Sequence, residues 1–299
     1  MHTPVLFLVF NRPDTTAQVF EAIREARPPR LYVAADGPRK DRPGEKERCR
    51  QVREIASAVD WPCELKTLFR DDNLGCGIAV STAIDWFFEN EPEGIILEDD
   101  CLPEHSFFLF CQTLLATFRT DERIMLISGH NVQGSWKQDE CDYFFSHLGG
   151  IWGWASWARA WAKYDKEMPL LHVATNDKSL QHLLGTKLGK HREAQLYSVV
   201  HKNTDTWDFQ WGFARHINSG MAVVPSNNLI TNIGFGAEAT HTHIAPPTTV
   251  PSSEIAFPIR ANPIVVADAE YDALFFRLPT LLKRGLARIQ RTLISLRNA

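Results

Sequence analysis

The chain has 299 residues, of which 44% are hydrophobic, and its formal net charge at pH 7 is −4. This length suffices for one large α/β domain with a substantial core, and the slightly acidic balance argues against a nucleic-acid-binding protein. The six cysteines are scattered without a Cys-x-x-Cys pair, so we expect reduced thiols in a cytoplasmic protein and no structural zinc site.

Strands and helices alternate through the first hundred residues. The apolar run 5–10 follows no basic region and is cut short by a polar turn, which predicts a first strand and not a signal peptide. Further strands are predicted over 30–35, 64–69 and 94–97, with helices over about 14–26, 49–59 and 78–89. This alternation predicts a Rossmann-like α/β fold, a mostly parallel sheet flanked by helices, with ligands bound at the carboxyl ends of the strands.

The fourth predicted strand ends in three consecutive acids, Glu98, Asp99 and Asp100. Three adjacent carboxylates repel one another, and a divalent cation such as Mg²⁺ or Mn²⁺ would relieve that repulsion because it prefers hard oxygen ligands. The alternative is a solvated acidic turn before a helix that Pro103 is expected to start, since acids are also favoured at helix N-termini.

Polar residues follow the other strands at the same edge of the sheet. Arg12 follows the first strand, where a guanidinium could stack on a base or pair with phosphate. Asp36 ends the second and could accept hydrogen bonds from a base or a ribose. Arg70 and the turn Gly75-Cys76-Gly77 precede a helix, whose first N–H groups form a natural anion site. Singly, such residues are more often ion pairs, caps or turn glycines, but together they predict a nucleoside diphosphate site.

A nucleoside diphosphate joined to a sugar would use both this edge and a metal, because a cation offsets the charge of the leaving diphosphate. Phosphoryl transfer from a triphosphate would need the same cation. The chain lacks the G-x-x-x-x-G-K-[ST] loop and the G-x-G-x-x-G kinase loop, which argues against both an NTPase and a kinase.

Four tryptophans lie within ten residues of the second half, beside glycines that indicate a turn into a helix. Trp152 and Trp154 are expected to line a pocket as acceptor or lid residues, since indole faces stack on sugars. Trp157 and Trp161 are spaced for one helix face and are expected in the core. A further buried strand is predicted over 125–128, and Asn131 at its tip is assigned to the same acceptor region.

Several short motifs follow one another along the chain. They are Phe10-Asn11-Arg12, Ala35-Asp36-Gly37, Glu98-Asp99-Asp100 with Pro103 and Phe107-Phe108, Ser128-Gly129-His130-Asn131, Gly153-Trp154, Trp207-Asp208 with Trp211, and Val223-Val224-Pro225-Ser226. They resemble the nucleotide-sugar half of GT-A fold glycosyltransferases, and most closely the inverting, metal-dependent N-acetylglucosaminyltransferase I family, which is glycosyltransferase family 2-like in bacteria. The resemblance covers roughly residues 4 to 245 through scattered motifs.

The resemblance implies roles for the donor-binding residues. Arg12 and Asp36 would contact the nucleotide, and Asp100 would hold Mn²⁺ or Mg²⁺ through the diphosphate. Glu98 and Asp99 would contact the ribose or the donor sugar.

Asp208 falls at the family's Trp-Asp motif, whose acids include the base that deprotonates the acceptor hydroxyl. From local sequence alone it would be an acid in the first turn of a helix, where it compensates the dipole. The second acid of the family's motif is missing here, because Phe209 and Gln210 follow. Asp205 and Glu98 therefore remain alternatives as the base.

The C-terminal part carries three further predictions. His241 and His243 would face the same side of an extended chain, and His243 is expected to contact the metal or the diphosphate, with solvent-exposed side chains as the alternative. Prolines from Pro246 onward predict a linker, which divides the chain into a glycosyltransferase domain over 1–245 and an extension over 246–299. A basic amphipathic helix over 280–298 would lie on an anionic membrane as a peripheral contact, with a dimer arm or a cap on the core as alternatives.

These features predict a metal-dependent glycosyltransferase that moves a sugar from a nucleotide donor, a UDP-sugar being expected, to a glycan or lipid-linked acceptor. One alternative is a nucleotidyltransferase that makes nucleotide sugars, although residues 10–15 lack the glycine-rich, Arg-Lys phosphate loop of such enzymes. The other is a catalytically inactive GT-A module that binds glycans.

Overall fold

The computed structural model describes residues 1–234 and 250–275. Within them the strands are β1 (Val5–Val9), β2 (Arg30–Ala35), β3 (Glu64–Phe69), β4 (Glu93–Glu98), β5 (Cys101–Pro103), β6 (Ile124–Ser128), β7 (Tyr143–Ser146), β8 (Trp154–Trp157), β9 (Met221–Pro225) and β10 (Ile230–Asn232). The helices are α1 (Pro13–Ala26), α2 (Glu45–Ala56), α3 (Cys76–Asn90), α4 (His105–Thr117), α5 (Ala158–Trp161), α6 (Leu171–Asn176), α7 (Ser179–Leu184), α8 (Thr186–His201), α9 (Asp208–Ile217) and α10 (Ala269–Phe275).

The main sheet of the described residues has eight strands in the order β3-β2-β1-β4-β8-β6-β9-β7. Strands β3, β2, β1 and β4 are parallel neighbours, as are β6 and β9. Strand β8 is antiparallel to both β4 and β6, and β7 is antiparallel to β9. The predicted fold class, a mostly parallel sheet flanked by helices, is confirmed.

Alternate residues of the central strands contact opposite helical layers. In β1, Val5, Phe7 and Val9 belong to the same buried cluster as side chains of α1, α2 and α4. Leu6 and Leu8 belong to a second cluster, with side chains of α3, α5 and α9. Burial of both faces explains why these strands are uninterrupted apolar runs in the sequence.

The aromatic stretch after Gly150 differs from the expected turn into a helix. Trp154–Trp157 form β8 in the middle of the sheet, and only the short helix α5 follows. Gly153 has a φ of +57°, and a Cβ there would lie 2.5 Å from Cδ1 of Ile230, so glycine fits this entry to the strand. Strand β8 has only four residues and begins and ends with tryptophan. Four residues are too few for the spacing of apolar side chains to distinguish a strand from a helix. Trp157 is in the core, as expected.

Three further short strands, β5, β7 and β10, were not expected either. Strand β5 pairs with β10 directly after the acidic end of β4. The helix expected to start at Pro103 therefore begins at His105, after this pair.

Several predictions fall on residues 235–249 and 276–299, which lie outside the described residues. They concern His243 and the basic helix over 280–298. The described end of the chain belongs to the main core, because Tyr271 of α10 is fully buried and its hydroxyl accepts a hydrogen bond from the N–H of Val132 at 3.2 Å. Within the described residues, no helix combines the length and the apolar character that crossing a membrane requires.

Candidate active site

A cleft of about 520 Å³ opens where the carboxyl ends of β1, β2 and β4 meet at one edge of the sheet. The predicted site residues that line it are Arg12, Asp36, Arg70, Gly75, Glu98, Asp99, Asp100, Trp152 and Asp208. The parallel strands and the turns after them supply the first seven. The loop before β8 supplies Trp152, and the start of α9 supplies Asp208. The cleft therefore brings together predicted residues from both halves of the chain.

Arg12 pairs with the two aspartates that follow β4. Its guanidinium donates one hydrogen bond to Asp99 and another, from Nη1, to Oδ2 of Asp100 at 2.9 Å. Burial lowers the pKa of Arg12, but the charges of Asp99 and Asp100 outweigh that effect and raise it above its ordinary value. The guanidinium thus remains charged and balances part of the acidic charge.

Glu98 lies in the most acidic part of the cleft. Burial raises its pKa, and the charges of Asp100 and Asp99 raise it further, against the opposing effect of Arg12. Burial also raises the pKa of Asp99, again with Arg12 opposing. These carboxylates therefore repel one another, and an additional cation would relieve the repulsion.

Asp100 is the residue predicted to hold a divalent cation. Its side chain is 14% exposed; Oδ2 is held by Arg12, while Oδ1 lies 3.4 Å from Sγ of Cys101. Among the residues that the structure describes, no group of three or more His, Cys, Asp or Glu side chains could enclose a metal by itself. Mg²⁺ is commonly held by only one or two carboxylates, with substrate phosphates and water completing the shell. The donor set therefore fits a cation that binds together with a diphosphate.

Asp36 holds the loop before α3. Its carboxylate accepts hydrogen bonds from Nδ2 of Asn73 at 2.9 Å, from the N–H of Leu74 at 3.0 Å and from the N–H of Gly75 at 3.1 Å. Burial raises the pKa of Asp36, and these backbone hydrogen bonds oppose the rise. The side chain faces the cleft, as predicted, but most of its hydrogen-bonding capacity serves the loop. Asn73 was missed by the sequence analysis, since nothing local indicates that its amide contacts Asp36.

The N-terminus of α3 was expected to bind phosphate, but a carboxylate of the same chain occupies it. Asp205 accepts the N–H of Cys76 at 2.8 Å through Oδ2 and the N–H of Gly77 at 2.7 Å through Oδ1. The N–H of Gly75 donates to Oδ2 of Asp36. Because both oxygens of Asp205 are engaged, it fits poorly as the alternative base.

Asp208 is the first residue of α9 and lines the cleft, close enough to Glu98 that its charge raises the pKa of that carboxyl. The hydroxyl of Thr206 donates a hydrogen bond to its Oδ1. Arg192, which the sequence analysis missed, lies buried behind it, with the guanidinium carbon 5.0 Å from the ring centroid of Phe209. Burial lowers the pKa of Arg192 to about 10, and the charge of Asp208 opposes that shift. A positive charge therefore lies close to the carboxylate predicted to act as a base.

Trp152 lies in the cleft wall against His130. The two ring centroids are 4.4 Å apart and the planes are inclined by 30°. Gly150 makes room for this stack, because a Cβ there would lie 2.6 Å from Nδ1 of His130. Burial lowers the pKa of His130 to about 4, so the ring that supports Trp152 is neutral at neutral pH.

Trp154 and Asn131 do not line the cleft, contrary to their predicted acceptor or lid role. Trp154 is completely buried in β8 and stacks on Trp207 with ring centroids 5.7 Å apart. Asn131 is also completely buried, and its Nδ2 donates to the carbonyl oxygen of Pro225 at 2.9 Å. Both are structural residues, because neighbouring side chains and backbone already occupy every face that an acceptor would touch.

No protein-family model matches the chain, and no curated protein matches it. Among solved structures, TarS residues 1–349 from S. aureus is similar at 12% identity with a TM-score of 0.42, over 77% of this chain and 59% of TarS. An apo UDP-glucose pyrophosphorylase is similar at 8% identity with a TM-score of 0.36, over 78% of this chain and 93% of that chain. HddC from Yersinia pseudotuberculosis is similar at 9% identity with a TM-score of 0.32, over 52% and 77%. The chain thus spans about three fifths of the TarS chain, and likeness at this level does not establish a shared activity.

Proposed function

We propose that this chain is a glycosyltransferase that moves a sugar from a nucleotide-sugar donor, with a UDP-sugar expected, to a hydroxyl of a glycan or lipid-linked acceptor. The observation that carries the proposal is that the acids after β4 and Asp208 of α9 face one cleft. Sugar transfer needs a charged end that binds a diphosphate and a separate base for the acceptor hydroxyl. A volume of about 520 Å³ is in the range of small-molecule sites.

The proposed chemistry is a single displacement. The carboxylate of Asp208 takes the proton of the acceptor hydroxyl as its oxygen attacks the anomeric carbon. The bond from that carbon to the diphosphate oxygen breaks, the electron pair leaves with the nucleoside diphosphate, and the configuration at the carbon inverts. The hydrogen bond from Thr206 engages Oδ1 of Asp208, which leaves Oδ2 for the acceptor.

Donor binding is assigned to the side of the cleft formed by β1 and β4. Arg12 would contact the diphosphate or the base, while Glu98 and Asp99 would contact the ribose or the sugar. Mn²⁺ or Mg²⁺ held by Asp100 would, when bound, offset the charge of the departing diphosphate. Arg70 lines the same cleft, and its Nη2 donates to Oγ1 of Thr82 at 2.7 Å, which leaves Nε and Nη1 for the nucleotide.

Two parts of the proposal lie outside the described residues. One is a contact of His243 with the metal or the diphosphate. The other is a peripheral membrane contact through 280–298, which would bring the cleft to a lipid-linked acceptor. A liposome assay with anionic vesicles tests the second: a chain ending near Asp272 should partition less than the full chain, and unchanged partitioning would remove this contact.

The two alternatives differ in what they consume. A nucleotidyltransferase would release pyrophosphate from a nucleoside triphosphate and a sugar phosphate, and residues 10–15 lack the phosphate loop that this reaction needs. An inactive module would bind a glycan or a nucleotide sugar without turnover.

One experiment separates the three functions. Thermal-shift measurements with UDP-, GDP- and CMP-linked sugars, each with and without Mn²⁺, identify the donor, and release of nucleoside diphosphate from that donor is then measured. We expect a Mn²⁺-dependent shift and nucleoside diphosphate release. Binding without turnover would support the inactive module, and pyrophosphate release from a triphosphate would support the nucleotidyltransferase.

A further inference from the structure

Two helices of this protein have their N-termini capped by a carboxylate from a distant part of the sequence. Asp205 accepts the N–H groups of Cys76 and Gly77 at the start of α3, at 2.8 and 2.7 Å. Glu254 accepts the N–H groups of His105 and Ser106 at the start of α4, at 3.0 and 2.7 Å. Both acids are exposed residues. In each, one carboxylate oxygen accepts the first N–H group and the other oxygen accepts the second. The two caps are therefore closely matched in geometry.

The caps differ in where they lie. Asp205 belongs to the wall of the active-site cleft, three residues before Asp208. Glu254 lines a different surface depression, beside Glu104 and α1. A change at Glu254 thus removes the same kind of contact without touching the cleft.

The start of α3 is shaped to receive the segment 205–206. A Cβ on Gly77 would lie 2.9 Å from Oδ1 of Asp205 and 3.0 Å from the carbonyl oxygen of Thr206. Gly75 has a φ of +81°, and a Cβ there would also press against the carboxylate of Asp205. The glycines that resemble a phosphate cradle in the sequence therefore allow close approach of this segment.

The residues that follow Asp205 are also fixed by side-chain contacts. The hydroxyl of Thr206 donates to Asp208, and Trp207 is buried against Trp154. Asp208 then begins α9. The contact of Asp205 with α3 consequently ties the entry of α9 to the loop that carries the cleft residues Arg70 and Gly75.

We propose that Asp205 is a positioning residue that sets the distance between Asp208 and the donor by fastening the entry of α9 to the N-terminus of α3. This inference rests on the proposed glycosyltransferase function. Asp205 would touch neither substrate, so its loss should lower kcat and leave the affinity for the donor almost unchanged. A misplacement of about 1 Å can cost about 100-fold in rate.

The test compares Asp205→Ala with the matched control Glu254→Ala in the full chain. Because both lose the same type of cap, both should lose a few degrees of Tm, about 2–4 °C. Only Asp205→Ala should lower kcat, by about 10- to 100-fold, with the Kd for the donor changed less than about twofold. Asp205→Asn keeps one strong acceptor and should lie between Asp205→Ala and the wild type.

Amide hydrogen exchange provides a readout that does not depend on activity. In Asp205→Ala, exchange should rise at residues 76–77 and 204–208, while Glu254→Ala should raise it only near 105–106. Unchanged exchange at 204–208, or equal kcat in the two alanine variants, would overturn the positioning role. A wild-type chain that transfers no sugar would instead overturn the proposed function, and the exchange pattern would still show whether Asp205 anchors the segment.

Discussion

The two sides of the cleft are built in different ways. The proposed donor side, Arg12 and residues 98–100, lies at the ends of the neighbouring parallel strands β1 and β4, which the backbone ladder holds in register. The proposed acceptor side, Trp152 and residues 205–208, is held by side-chain contacts between segments far apart in sequence. If each side has its own support, substrate binding and turnover should be separable by mutation.

The largest effect is expected on the acceptor side, at Asp208. Asp208→Asn keeps the shape of the side chain but cannot accept the proton, so kcat should fall by about 10²- to 10⁴-fold. The Kd for the donor should remain within about twofold, because the donor side is untouched. Steady-state kinetics and calorimetric titration with the donor measure the two quantities.

Asp177→Asn serves as the control, since Asp177 is an exposed acid at the end of α6. Its kcat should equal that of the wild type. If Asp208→Asn lost donor affinity in proportion to its lost rate, the assignment of Asp208 to the acceptor side would be wrong.

The next effect is expected on the donor side, at Asp100. Asp100→Asn removes the charged oxygen that would bind the cation, so donor affinity in the presence of Mn²⁺ should fall at least about 100-fold. Without Mn²⁺ the variant and the wild type should bind the donor almost equally. Asp72→Asn, at a side chain that is 71% exposed, is the control. If the wild type bound the donor equally well with and without Mn²⁺, the proposal that Asp100 binds a cation would be wrong.

A smaller effect should appear at Trp152. Trp152→Ala should raise KM for the acceptor about 10-fold, or about 1.4 kcal/mol, because a flat apolar face is lost. The Kd for the donor should not change, and Trp152→Phe should retain most of the acceptor affinity. A rise in donor Kd with unchanged acceptor KM would move Trp152 to the donor side.

The smallest expected effect is on the pH dependence of stability, and it comes from His130, whose ring packs against Trp152. The pKa of His130 is lowered to about 4 in the folded chain from 6.5, so the unfolded chain binds the proton more readily. This difference stabilises the fold above pH 6.5, and the stabilisation is lost as the pH falls toward 4. Between pH 7 and 5.5 the loss should be about 1 kcal/mol.

Urea unfolding of the wild type and His130→Gln at both pH values measures this contribution. The variant should lose about 1 kcal/mol less than the wild type over that interval, since glutamine does not titrate. Identical pH dependence in both chains would show that the proton binds His130 equally well in the folded state.

The meeting of Arg12 with the acids after β4 could be predicted from sequence because strand patterning and the acids at a strand end are local signals. Strands β2 and β3 match their predicted limits, and Arg12, Asp36 and Glu98 meet in one cleft as expected. Parallel pairing alone places such residues at a common edge.

The acceptor side was harder because its determinants are long-range. Trp152 and Trp154 lie on either side of Gly153, yet one lines the cleft and the other is a core residue of β8. The cap of α3 by Asp205 joins segments 129 residues apart, so no local pattern distinguishes it from a phosphate site. Nothing in the local sequence indicates that the ring of His130 packs against Trp152.

Nuclear magnetic resonance analysis of the products tests the central claim most directly. The wild-type chain is incubated with Mn²⁺, the donor that gives the largest thermal shift, and a hydroxyl acceptor. We predict nucleoside diphosphate and a glycoside whose anomeric configuration is opposite to that of the donor, with both products formed at least about 100-fold more slowly by Asp208→Asn. A product of unchanged configuration, or equal product from Asp208→Asn, would contradict the claim that Asp208 acts as the base of a single displacement in this cleft.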